Sequence, residues 1–367
     1  MKVLNITLHA INNYGSVLQT FATETIFKKL GCEVETIDYI RKTARLNSAS
    51  EILKAKNLSP KLKLKTLIHH IFFKNSSGNR TTKFKLFRNK YLNLTDKYYS
   101  NEELKNNPPF ADIYCTGSDQ TWNTVCQGGV PMAFFLDFVP SDKIKISYAA
   151  SFGINKIPEN DKAEVKKLLS SYSYISVREQ SGVDILNELG FKSTLVLDPT
   201  LTLEESDWNE FSESRLFKEE YIFAYQLNRN PKFTEYINKF SEKKGLKLVL
   251  VRSRKEPVPK NGICITDASP QEWLSLVKNA KYVITDSFHC TAFCILFHRQ
   301  FIVIMPPQYS IRISDFLKEI NLSDRILTDF NVYNLIDKQI DFAPIDKWLE
   351  YKREHTVDFL KSAIYKK

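Results

Sequence analysis

The chain has 367 residues, 43% of them hydrophobic and 26% charged, with a formal net charge of +10 at pH 7. That length accommodates two domains of ordinary size, each with its own core, and 11 Gly and 14 Pro are too few for a collagen-like or long low-complexity chain. No apolar run reaches the ~20 residues of a membrane-spanning helix, and no repeat of solenoid period is found.

Lys2 to Leu8 alternates like a first strand and lacks the continuous apolar core of an export signal, so the expected location is the cytoplasm. A polar turn follows, and then Val17, Leu18, Phe21, Ala22, Thr25, Ile26 and Leu30 recur at helical spacing. Asn13, Gly15 and Ser16 therefore stand between a strand and a helix N-terminus. Gly permits close backbone approach there, and exposed N–H groups suit an anion or a sugar hydroxyl. The turn fits neither GxGxxG nor a P-loop, so it points to no particular nucleotide. Val34 to Tyr39 reads as the second strand.

From Arg41 to Lys97 the chain carries fifteen Lys or Arg against two acids, Glu51 and Asp96, so the excess positive charge belongs to this segment. Leu62 to Phe73 has the apolar spacing of one helix, Phe84 to Leu92 that of another, with Asn75 to Asn79 as a loop between. The segment 41–97 reads as a basic helical insertion. It is either a solvated face or one that meets an anionic membrane or a diphosphate-linked acceptor. Nucleic acid is not expected, because no binding module accompanies the charge.

Ala111 to Thr116 is a buried strand, and Ser118, Asp119, Gln120 and Trp122 follow at its carboxyl end. Polar groups for hydroxyls beside an aromatic plane for a ring suit a sugar. The strand ending at Val177 delivers Arg178 and Glu179, and an Arg at a strand end can clamp a carboxylate or phosphate or merely pair with its neighbour. Leu195 to Leu197 closes this half. The six cysteines fit no disulfide or zinc spacing and read as small core residues; no metal is expected.

An acidic, loosely periodic stretch from Glu204 to Glu220 marks the junction. We divide the chain into 1–205, 206–335 and a terminal helix 336–367 packed across both. The second half centres on Tyr282 to Ile304: strand, Thr285-Asp286-Ser287 turn, buried helix, strand. Such a βαβ unit binds ligands beyond the carboxyl end of its first strand, at the helix N-terminus. Phe288 and His289 lie in that first turn, and Arg312 starts a later helix. The plainer alternative is that Asp286 and Ser287 only cap the helix.

Seven segments in order carry a family resemblance: NYGSVLQTFA (13–22), GSDQTWN (117–123), SYAASFG (147–153), SVRE (176–179), LDPTLTL (197–203), TDSFHCTAFCILFHRQFIVI (285–304) and RISDFLKEINLSDR (312–325). On these the chain resembles the polysaccharide pyruvyltransferase family. The resemblance implies an α/β fold of two Rossmann-like domains facing a cleft, GT-B-like, with the acceptor on the first domain and the donor on the second. It implies phosphoenolpyruvate as co-substrate, no cofactor, and a sugar diol of a capsule or exopolysaccharide, or of its lipid-linked precursor, as acceptor. The product is a pyruvate ketal. The family's essential histidine matches His289 and its arginine Arg178; Asp119, Gln120 and Ser287 fall in motif positions.

Phosphoenolpyruvate needs cations and helix N-termini for its two anionic groups, and an acid to protonate C3. Arg178 for the carboxylate, the Asp286-Ser287 helix start for the phosphate, His289 as acid and Asp119 as proton acceptor satisfy these needs. Alanine at His289 or Arg178 is then expected to abolish transfer without unfolding. Two alternatives remain open at this point: a GT-B glycosyltransferase with a nucleotide-sugar donor, and a non-catalytic module for polysaccharide or anionic membrane. A location at the inner membrane face, through 41–97, goes with the lipid-linked acceptor.

Overall fold

The computed structural model describes residues 1–41, 79–209, 211, 214–253, 259–306 and 310–365. Its first half is built on a parallel sheet of β1 (Lys2–Ile6), β2 (Glu33–Tyr39), β3 (Leu94–Tyr98), β4 (Ile113–Thr116) and β5 (Ile144–Ser147), in the order β3-β2-β1-β4-β5. Bridges from Ile146 to Tyr174 and from Ala150 to Val177 extend it towards β6 (Ser176–Val177) and β7 (Thr194–Leu195). The second half repeats the plan with β8 (Tyr221–Tyr225), β9 (Lys247–Val251), β10 (Gly262–Ile265), β11 (Tyr282–Thr285) and β12 (Gln300–Val303), ordered β10-β9-β8-β11-β12. The central strands are short apolar runs, because a parallel sheet is covered on both faces. The chain reverses its direction of travel across each sheet between β1 and β4 and between β8 and β11. Those are the two places where a doubly wound sheet opens a crevice.

The halves share a core. The helix Tyr14–Lys29, after β1, is buried on most sides because it lies between its own sheet and the second half. Tyr14 stacks on Trp273 of the second half at 5.1 Å and its hydroxyl donates to Ala268 O at 2.8 Å. The last helix, Ala343–Tyr365, lies against both halves: Thr356 Oγ1 accepts from Leu197 N, and the Trp348 ring meets Phe316 at 6.2 Å.

Residues 79–97, expected from the sequence to lie in the basic insertion 41–97, are part of the sheet domain. Residues 79–91 form a helix whose Phe84 and Phe87 are buried in the shared core, and Leu94–Tyr98 is the edge strand β3. Of the helix's cations only Lys85 and Lys90 face outward; Arg80 is buried against Tyr14 and Phe84, Arg88 is half-buried, and Lys83 reaches Glu272 of the second half at 2.8 Å. The helix expected at Leu62 to Phe73 lies outside the described residues.

Candidate active site

The carboxyl ends of β1, β4, β8 and β11 converge on a cleft of ≈ 270 Å³ between the halves. Among its walls are Asn13, Ser16, Asp119, Gln120, Ser287 and His289. Asp119 adopts φ 77°, in the left-handed region that few non-glycine residues enter. Its own carboxylate helps hold the turn by accepting from Gln120 N at 2.9 Å. Ser16, in the first turn of the helix after β1, donates to the other oxygen at 2.7 Å, so the two strand ends are tied together.

Beneath the cleft lies a buried charge network. The Arg178 side chain is fully covered, and its Nη1 donates to Asp198 Oδ2 at 2.5 Å and to Ser118 Oγ at 3.1 Å. Its Nη2 reaches Asp119 Oδ1 at 3.4 Å, and Glu179 is 3.7 Å from Nε. Asp198 also accepts from Ser118 Oγ and from the backbone and hydroxyl of Thr200. Burial raises both aspartates, but the cations around them outweigh it. Arg178, His289 and Arg312 hold Asp119 at about 2, and Arg178 and His289 hold Asp198 far below the usual carboxylate range. Glu179 is raised by burial, which Arg178 only partly offsets.

His289 sits between this network and the cleft. Its Nε2 is 3.4 Å from Arg178 Nη1 and 3.7 Å from Asp198 Oδ2. An arginine nitrogen can only donate, so in the neutral ring Nε2 accepts and the proton lies on Nδ1. Nδ1 faces the Asn13 to Ser16 turn so closely that a Cβ on Gly15 would stand 2.0 Å from it. Gly15 therefore makes room for the imidazole. Phe288 covers the network from the other side, with the Arg178 guanidinium 4.7 Å from its ring centre.

Among the described residues Arg312, on the cleft wall, has no anionic partner nearer than Asp119. Its Nη1 is 3.8 Å from Asp119 Oδ1, and its Nε, buried, has no acceptor. Burial and the neighbouring Arg178 lower its pKa.

Other predicted residues serve the frame. Asp286 accepts from Leu227 N at 2.7 Å and from Asn228 N at 2.8 Å, so it fixes the loop after β8. Ser287 accepts from Cys290 N and caps the helix Phe288–Leu296; Asn13 does the same for Ser16 N. Trp122 is a correction: it is fully buried, stacked on Phe135 at 5.4 Å, with Nε1 donating to Phe134 O, and offers no plane to a sugar. Cys126 is exposed and Cys264 half-buried, so those two are not core residues as expected. Among the described residues no group of three His, Cys, Asp or Glu could hold a metal ion.

Two residues escaped the sequence reading. Asp198 was hidden in a strand end followed by Pro, which reads as a helix start. Arg41, counted with the basic insertion, lines the cleft and donates to Gln127 Oε1.

A search of curated proteins gave no match. Among solved structures, one described as a UDP-N-acetylglucosamine 2-epimerase from Listeria monocytogenes aligns with TM-score 0.56 at 11% identity, covering 100% of this chain and 97% of that one. The UDP-GlcNAc 2-epimerase from Neisseria meningitidis aligns with TM-score 0.55 at 10% identity over 100% of both chains. At such identity these likenesses show the fold alone: two Rossmann-like domains facing a cleft, GT-B-like. The model of the polysaccharide pyruvyl transferase family matches residues 13–307. With that match spanning most of its length, the chain belongs to the polysaccharide pyruvyl transferase family.

Proposed function

We propose that the protein transfers the pyruvyl group of phosphoenolpyruvate to two hydroxyls of one sugar, in a cell-surface polysaccharide or its lipid-linked precursor. The observation that carries this reading is a histidine on the cleft wall, braced from behind by Arg178 and Asp198, beside the half-buried Arg312, whose Nε has no acceptor. Arg312 takes one anionic group of the donor. The first N–H groups of the helix Phe288–Leu296 suit the other.

His289, as imidazolium, gives its proton to C3, and C2 becomes electrophilic. One acceptor hydroxyl adds to C2 and its proton returns to the now neutral ring. Phosphate then leaves C2, the second hydroxyl adds, and its proton goes to the phosphate or to water. Asp198 steadies the imidazolium. Asp119, held at about 2, is a poor base; its carboxylate orients Arg178 and Arg312 rather than taking a proton. Arg178 is covered and already engaged, so it supports His289 rather than clamping substrate.

The test is thermal stabilisation by phosphoenolpyruvate, since a ligand of the folded state raises the melting temperature. Wild type should shift, and Arg312→Ala should shift much less. A protein stabilised by nucleotide sugars and indifferent to phosphoenolpyruvate would have a different donor.

A further inference from the structure

Arg41 and Gln127 line one side of the cleft that holds His289. The same two side chains form a wall of a second groove, ≈ 330 Å³ in volume, that lies wholly on the first half. Its aromatic surface comes from Tyr39 at the end of β2 and Tyr99 just after β3. Tyr39 is fixed edge-on against buried Phe134 at 5.6 Å, and Tyr99 is 41% exposed. Glu102, exposed, also lines it.

We propose that this groove is the acceptor subsite and that it holds a neutral sugar ring next to the one modified. Three observations converge. First, the groove suits a neutral ligand: among the described residues its wall has one cation, Arg41, whose guanidinium already bonds Gln127, and one carboxylate, Glu102. A phosphate-rich ligand needs several donors free of such competition. Second, tyrosine faces beside an amide, a guanidinium and a carboxylate match a sugar ring, which has apolar C–H faces and a rim of hydroxyls. Third, the groove adjoins the cleft at Arg41 and Gln127, so a saccharide lying in it has its end ring on the side of the cleft that holds His289. Which ring is modified rests on the pyruvyl-transfer reading; the sugar contact does not.

The experiment uses the full-length protein and saturation-transfer NMR with maltose, lactose, and the methyl glycosides of galactose and N-acetylmannosamine, with uridine as a separate probe. Thermal shifts with phosphoenolpyruvate are recorded on the same samples. We expect one or more saccharides to bind wild type, Tyr99→Ala to weaken that binding about tenfold, and Tyr99→Phe to restore it. The phosphoenolpyruvate shift should be equal in all three proteins. No saccharide binding, or binding indifferent to Tyr99→Ala, overturns the subsite. Uridine binding that is lost in Tyr99→Ala makes the groove a nucleoside site and also overturns it. Saccharide binding through Tyr99 without any phosphoenolpyruvate shift supports the subsite and removes the donor instead.

Discussion

The helices Tyr14–Lys29 and Phe288–Leu296 bring their first turns to the same cleft and differ along their whole length. Both are capped by a side chain, Asn13 in one and Ser287 in the other. In the first turn of one, Gly15 leaves a space; in the first turn of the other, His289 fills it. Beyond the cleft, Phe288–Leu296 buries Cys290, Ala292, Phe293, Cys294 and Ile295 and no carboxylate, whereas Tyr14–Lys29 buries Gln19, Thr20, Thr23 and Glu24. One helix is a plain apolar peg carrying a reactive group. The other is a polar joint that fits around it.

Removing the reactive group gives the largest expected effect. His289→Ala should lower turnover by about 10²- to 10⁴-fold, the range for a general acid, with an unchanged melting temperature. The support beneath it behaves differently. Arg178→Ala leaves Asp198 and Asp119 buried without their counter-ion, and chemical denaturation should show a loss of roughly 3–5 kcal/mol. Unfolding, not a silent loss of activity, is then the mark of that variant, contrary to what the sequence suggests. Gly15→Ala tests the fit between the two first turns. The new Cβ would stand 2.0 Å from Nδ1, so the ring must swing, and turnover should fall about 10²-fold. In the His289→Ala background the same change should cost nothing further. Wild-type turnover in Gly15→Ala, or losses that multiply in the double variant, would separate the two turns.

Much of this arrangement is legible from residues alone, and the gaps have physical causes. The alternation of strands and helices, the turns at Asn13 to Ser16 and Asp286 to His289, and Asp119 after β4 can be read because short apolar runs and capping residues are local signals. What cannot be read is which polar residues turn inward. Trp122 after Asp119 looks like a binding plane, yet its indole completes a core beside Phe135. Asp198 looks like a helix cap, which it is through Thr200, but its other oxygen holds Arg178. In the sequence the helix Tyr14–Lys29 shows only that its apolar residues recur at helical spacing. Contact with the second half, a long-range fact, buries most of its other faces as well.

Glu24 gives the smallest prediction and the one that tests the polar joint apart from the cleft. Its carboxylate accepts from Thr36 Oγ1 at 2.7 Å and from Asn93 N at 3.0 Å, joining the helix to β2 and to the start of β3. Burial still wins: desolvation raises its pKa from 4.5 to about 7, with Asn93, Thr36 and Lys28 offsetting only part of it. The folded state therefore favours the neutral acid. Below pH 4.5 the group is neutral in both states and costs nothing. Between pH 4.5 and 7 the unfolded chain ionises first, so stability falls as pH rises, by an amount on the order of 3 kcal/mol. Above pH 7 the loss is complete and constant. Glu24→Gln removes the ionisation and keeps one acceptor oxygen. Its melting temperature should exceed that of wild type at pH 8, and the gap should close by pH 4.5. A gap that does not change with pH would mean that Glu24 is ionised in the fold and that the joint is held by charge, with Lys28 as its partner, rather than by a neutral acid.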